Sequence, residues 1–246
     1  MSRNRRGGFR GSMNAEYIAL GFLWYVAFLF SLTCHEASHA LAAKWGGDLT
    51  AAEGGQVTLN PLPHIQREIF GTTIVPILSY VVGGWMIGWG SAPFDPHWRN
   101  RHPHRAAWMA LAGPAANFIL MLAAVLAIRL GILAKVFAAP VSAAFTHVVA
   151  ATRPGPFEGV AVLLSILFSL NLLLGVFNLL PVPPLDGHGA ICLLFTEDFA
   201  RRFAQATSNP TLAVLGLIVV WKAFGYIFDP LFLLALNVLY PGARYG

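Results

Sequence analysis

The sequence predicts an all-α polytopic membrane protein: a bundle of about five to six transmembrane helices with a re-entrant segment and a short membrane-embedded strand region. Three observations predict it. The 246-residue chain is 57% hydrophobic and only 11% charged, with a mean hydropathy of +0.63, far from the balance of a soluble domain. Several apolar runs reach or approach the roughly 20 residues that a helix needs to cross hydrocarbon. The basic residues behind the net charge of +5 sit in short loops beside those runs. There they meet anionic headgroups and set topology, so the expected partner is the lipid bilayer and not nucleic acid.

Residues 1–12 read as a basic, Gly-rich, disordered tail carrying Arg3, Arg5, Arg6 and Arg10, and residues 13–246 as a single membrane domain. Met13 is a second candidate start, and the apolar run behind it is too long for a cleaved signal peptide. A first helix spans Ala15 to Trp45 and stops at Gly46-Gly47. Asp48 to Arg67 is polar and marked by Gly and Pro, and its piece Gln56 to Leu59 alternates as a short strand or hairpin would. Ile69 to Gly90 is apolar but interrupted by Pro76, Gly83, Gly84 and Gly88. A helix follows from Ala106 to Arg129, then a softer stretch, Ile132 to Ala151, fit for a loop or an interfacial helix. The next spanning helix is Phe157 to Leu180. Thr211 to Phe228 and Pro230 to Tyr240 make one or two more, with a break at Asp229-Pro230. Cys34 and Cys192 read as small buried hydrophobes, since two cysteines make no disulfide framework.

The first helix carries His35-Glu36-x-x-His39 inside an apolar run. On a helix the two imidazoles stand one turn apart on one face and can reach one metal ion. Glu36, beside the first of them, can take a proton from an attacking water. A charge in mid-bilayer costs about 2.5–3.5 kcal/mol on insertion scales, so a Glu placed there calls for a function. The third ligand is Asp186, in the turn Pro181-Val182-Pro183-Pro184-Leu185-Asp186-Gly187. Two His and one carboxylate leave a zinc ion its fourth position for water, the layout of a hydrolytic site. An Asp-Gly turn alone is commonplace; the intramembrane HExxH gives it meaning.

These residues, with Gly113-Pro114-x-x-Asn117 and Asn178-x-x-Pro181 ahead of Asp186, resemble the site-2 protease family of intramembrane zinc metalloproteases, in a compact form without appended soluble domains. The resemblance runs from the first helix through Asp186. It implies one Zn2+ per chain held by His35, His39 and Asp186, with Glu36 as catalytic base. It also implies substrate contacts from Asn117 and from the strand-like region that includes Gly54, Gly55 and Asn60. An edge strand at Gly54–Asn60 would pair with the backbone of a locally unwound, membrane-anchored protein or peptide substrate. Asn117 has a second reading, a kinked helix whose Asn bonds a neighbouring helix. Gln66-Arg67 stand where the family tends to carry Asp-Pro.

Parity adds a constraint. The HExxH nears the end of its helix and Asp186 follows the end of Phe157–Leu180, so a shared ion requires the two helices to run parallel. An odd number of crossings must then separate them. Of the two candidates, Ile69–Gly90 is the one expected to double back. The basic loop Arg99–Arg105 and Arg201-Arg202 place the site in the cytoplasmic half of a bacterial or archaeal plasma membrane. His97, His102 and His104 read as a headgroup-facing loop, His64 as a loop residue, and His188 as interfacial. The competing function is a metal transporter using the same His/Asp cluster as a transit site. Against it, the ligands converge on one place and include a base. Nothing in the sequence speaks to oligomeric state.

Overall fold

The computed structural model describes residues 15–246, so the expected tail, residues 1–12, and Met13 lie outside the described residues. In chain order the helices are α1 (Ala15–Trp45), α2 (Thr50–Glu53), α3 (Leu62–Arg67), α4 (Val75–Gly83), α5 (Pro96–Arg101), α6 (Pro103–Leu133), α7 (Pro156–Asn178), α8 (Asp186–Ala190), α9 (Glu197–Ala206) and α10 (Pro210–Leu239). Among the described residues, four are long and apolar enough to cross a membrane: α1, α6, α7 and α10. A shorter apolar helix, Phe70–Gly83, begins with a π-helical turn, Phe70–Ile74, that runs into α4. The expected five to six spans are thus four full ones and one partial one.

The partial span doubles back, as parity requires. Its helix climbs antiparallel to α1: Tyr25 Oη and Thr73 Oγ1 are 3.1 Å apart, and farther up Tyr17 and Tyr80 stack and exchange hydroxyl-to-carbonyl hydrogen bonds. Gly84, at φ 77°, ends α4 in the left-handed conformation, open to glycine at little cost. The chain then returns through residues 85–95 without helix or strand. Ser79 Oγ accepts from Ile87 N (2.9 Å), and Trp89 N donates to Gly71 O (3.0 Å). At the base, Ser91 Oγ donates to Glu68 Oε1 (2.7 Å) and accepts from Arg67 Nε (3.1 Å), so entry and exit lie side by side. Side chains at Gly71 or Gly88 would collide with Trp89 and Phe28. Glycine is what allows the two limbs and α1 to touch.

Two local expectations differ from the structure. Gln56–Leu59 forms a bend without a ladder partner. The two-stranded sheet instead joins Phe137–Ala138 (β1) to Ala150–Ala151 (β2), antiparallel, inside the stretch read as a loop or interfacial helix. Ser165 of α7 holds that hairpin down, its Oγ accepting from Val148 N (2.9 Å) and Val149 N (3.2 Å). The second difference is α10, which passes through Pro230 unbroken. Proline is tolerated in membrane helices because neighbours and local adjustment absorb the lost hydrogen bond.

The largest apolar cluster joins α6, α7, the hairpin and α10 around Ile128, Phe168, Val148 and Leu236. A second joins α1, α4 and α7 around Trp24, Phe28, Tyr80 and Ile166. Most of the remaining apolar surface of α10 faces outward, as a lipid-facing helix requires.

Asp48 ties the end of α1 to the start of α5. Its Oδ1 accepts from Thr50 N (2.9 Å) and Thr50 Oγ1 (2.6 Å), its Oδ2 from Asp95 N (2.8 Å), and Asp95 in turn caps α5 through His97 N and Trp98 N. Burial would raise the Asp48 carboxyl, but these hydrogen bonds outweigh it and hold it below the usual carboxylate range. A depressed carboxyl stabilises the fold fully above its ordinary pKa of about 3.9 and loses that contribution as pH falls through the lower, folded value. Asp48→Ala should therefore destabilise the detergent-solubilised protein by about 1.5–3 kcal/mol at neutral pH. The deficit should shrink as the pH falls below the ordinary carboxylate range, as read by thermal unfolding at neutral and acid pH.

Candidate active site

Two elements bring three donor atoms together. α1 presents His35 and His39, and α8, which starts directly after the proline-rich turn, presents Asp186. The Nε2 atoms of the two imidazoles are 3.0 Å apart, and Asp186 Oδ2 lies 3.0 Å from His35 Nε2 and 3.3 Å from His39 Nε2. The two imidazoles are buried and Asp186 is partly buried.

The protons on these rings are fixed from behind. His39 Nδ1 is 2.7 Å from the carbonyl of Met109, which can only accept, so Nδ1 carries the hydrogen and Nε2 keeps a lone pair. For His35 the logic runs through three side chains. Asn171 Nδ2 donates to the Leu167 carbonyl (2.8 Å), which orients its amide and turns Oδ1 toward Asn117 Nδ2 (2.9 Å). Asn117 Oδ1 is left facing His35 Nδ1 at 2.6 Å, so this nitrogen also donates. Asn117 and Asn171 are fully buried, and Asn171 reaches Ser31 of α1 as well. Of the two readings of Asn117, the bond to a neighbouring helix is present, through Asn171, and its carbonyl oxygen meets a site imidazole; Asn117 itself lies off the cavity wall.

With both Nδ1 atoms protonated, two imidazole lone pairs and a carboxylate oxygen face one point. Asp186 Oδ2 is buried and receives no hydrogen bond. Such a set is repulsive unless a cation lies between its members. An ion bonded tetrahedrally at about 2.0–2.1 Å needs donors about 3.3–3.4 Å apart, and the observed separations of 3.0–3.3 Å are close to that. The donor set fits zinc.

The surroundings leave room for it. A Cβ on Gly113 of α6 would stand 2.6 Å from His35 Nε2 and would also strike His39 Nε2. Only glycine lets α6 pass behind the donors. Glu36 is buried on α1 with its carboxylate against the returning limb; a Cβ on Gly90 would come within 2.7 Å of Glu36 Oε1. Donors, Glu36 and residues 87–92 share the wall of one cavity of about 1050 Å3, closed on other sides by α9 and α10.

A sequence model of Peptidase family M50 matches residues 23–222. The chain belongs to peptidase family M50. Two relatives of this M50 protein, YwhC of Bacillus subtilis (strain 168) and Rip2 of Mycolicibacterium smegmatis, bear names that mark them as proposed zinc metalloproteases. YwhC is 30% identical over 236 residues, 87% of this chain and 97% of its own length. Rip2 is 30% identical over 204 residues, 83% of this chain and 69% of its own. Rip2 of Mycobacterium tuberculosis H37Rv is 28% identical over 212 residues. No solved structure matches the chain significantly.

Of the other residues singled out in this M50 sequence, Gly54, Gly55 and Asn60 lie off the cavity wall. Gly54 and Gly55 form the turn after α2, and Asn60 Oδ1 accepts from Leu62 N (3.1 Å) at the start of α3. Gln56, 2% exposed, points inward instead, its Nε2 reaching Ser91 O at 3.4 Å. His64 is buried, with Nε2 3.1 Å from Thr58 O. His104 Nε2 meets Phe195 O, and His188 Nε2 meets Thr207 Oγ1, so both hold α9 in place. Sequence reasoning passed over Gly113 as a clearance, Asn171, the limb 87–92 and α9. Only α9 announces itself, with Thr196 as cap, Glu197 and Asp198 in the first turn, and Phe199 and Phe203 four apart.

Gly113→Ala should lower bound zinc to well under one per chain by elemental analysis, because its methyl group invades the donor set. Asn171→Leu should weaken zinc binding by about 10–100-fold in chelator competition, the usual cost of losing an outer hydrogen bond. In an Asn117→Asp background, where both side-chain oxygens accept, the same Asn171→Leu change should cost far less.

Proposed function

We propose that this chain is an intramembrane zinc endopeptidase that hydrolyses peptide bonds within or near the transmembrane segments of membrane-anchored proteins. The carrying observation is the convergence of His35, His39 and Asp186 beside Glu36 in a cavity walled by membrane helices. His35, His39 and Asp186 hold the ion. Bound there, zinc supplies Lewis acidity, which brings the pKa of water toward about 7 and polarises a carbonyl. Glu36 accepts the proton of the attacking water and delivers it to the departing amine. Its position on α1, one residue from the first ligand and against Gly90, keeps the carboxylate at the cavity face.

A helical substrate hides its carbonyls in hydrogen bonds and must unwind before attack. The returning limb, residues 87–92, is neither helix nor strand, lines the cavity and passes Glu36, which supports it as the backbone edge that receives the unwound strand. Gln56 and the turn at Gly54–Asn60 buttress that limb from outside, through Ser91 O. Asn117 acts on His35 and through it on the ion. The basic α5 region, with Arg99, Arg101 and Arg105, and Arg201 and Arg202 of α9 gather at the site's end of the bundle. This favours a cytoplasmic-side site in a bacterial plasma membrane.

Glu36→Gln should keep one zinc per chain by elemental analysis and lose about 10²–10⁴-fold in proteolysis, measured as new N-termini in membranes. A transporter using these ligands would keep its flux in the same variant. Retained cleavage would remove Glu36 from the chemistry.

A further inference from the structure

Arg99 stands at the C-terminal part of α5 and lines the same cavity as Glu36 and the metal-site residues. Its guanidinium lies over the Phe94 ring, 5.2 Å from the centroid, which fixes it against the wall. Its Nε is buried and has no hydrogen-bond partner. Among the described residues no carboxylate forms an ion pair with it, whereas Arg101 pairs with Asp95 and Arg201 with Asp198. The acids on the cavity wall are Glu36 and Asp186, both committed to the reaction centre. A half-buried cation without a counter-charge is costly.

From this placement we infer an anionic subsite: Arg99 binds an acidic side chain of the substrate peptide within a few residues of the scissile bond. The inference rests on the proteolytic reading of the site. The cavity that holds Arg99 is continuous with Glu36, so what enters it is the peptide being cut. The planar guanidinium matches a carboxylate in a two-point contact, and Asn100 on the same wall adds donors. The same charge turns away a Lys or Arg at that substrate position, which supplies discrimination as well as attraction.

The test uses the full-length protein, purified in detergent and zinc-loaded, on a proteome-derived library of hydrophobic peptides, with cuts mapped by mass spectrometry and Glu36→Gln as blank. The wild type should favour Asp or Glu over Asn or Gln at one position flanking the cut by about tenfold, the effect of one charge-assisted hydrogen bond. Arg99→Gln should flatten that preference while zinc content stays at one per chain. Arg99→Glu should invert it toward Lys and Arg, an outcome that misfolding cannot produce. No acidic preference in the wild type, as when a lipid phosphate occupies Arg99, overturns the subsite. So does a preference that both variants retain. Absence of any cuts above the blank overturns the proteolytic reading, and the subsite with it.

Discussion

Three electron pairs aimed at one point, in a place water does not freely reach, are the constraint around which the rest of this structure is arranged. Two imidazoles and a carboxylate at 3.0–3.3 Å repel one another unless a cation joins them. Their orientation is not left to the side chains themselves. Two backbone carbonyls, Met109 on α6 and Leu167 on α7, ultimately decide which ring nitrogens carry protons. The relay through Asn171 and Asn117 transmits the second decision across two helix interfaces. Each buried amide is thus both a helix-to-helix contact and part of the metal chemistry, which explains why such groups are kept inside apolar helices.

The same constraint shapes the backbone. α6 must pass close to the donors, and Gly113 presents no Cβ to strike their Nε2 atoms. The chain must also bring a non-helical limb past Glu36 at membrane depth, where unpaired backbone is tolerated only inside protein or against a cavity. The glycines at 71, 84, 88 and 90 let it turn and lie flush against α1, and Ser79, Gly71 and Glu68 hold it there. The doubled-back segment is therefore the other wall of the site and not a defective span.

Much of this was legible in the residues. The first helix runs from Ala15 to Trp45 as read, because its apolar run and Gly46-Gly47 stop are unambiguous. The ligand triad followed from helical spacing and a carboxylate held by prolines, and the re-entrant segment from counting crossings. What escaped the reading depends on three-dimensional neighbours. Gln56–Leu59 alternates as a strand does, but an alternating pattern cannot say whether a partner lies alongside, and none does. Pro230 marks a break in water and not in a helix surrounded by lipid. Asn171 is one polar residue among many apolar ones until Asn117 is seen opposite it.

The central claim is that Asp186 completes the metal site. X-ray absorption spectroscopy at the zinc edge of the purified protein tests it most directly, with Asp186→Asn alongside. The account predicts two imidazoles and an Asp186 oxygen at about 2.0–2.1 Å in the wild type, and loss of the carboxylate contribution with weakened zinc retention in the variant. An unchanged zinc spectrum and undiminished affinity in Asp186→Asn would contradict it.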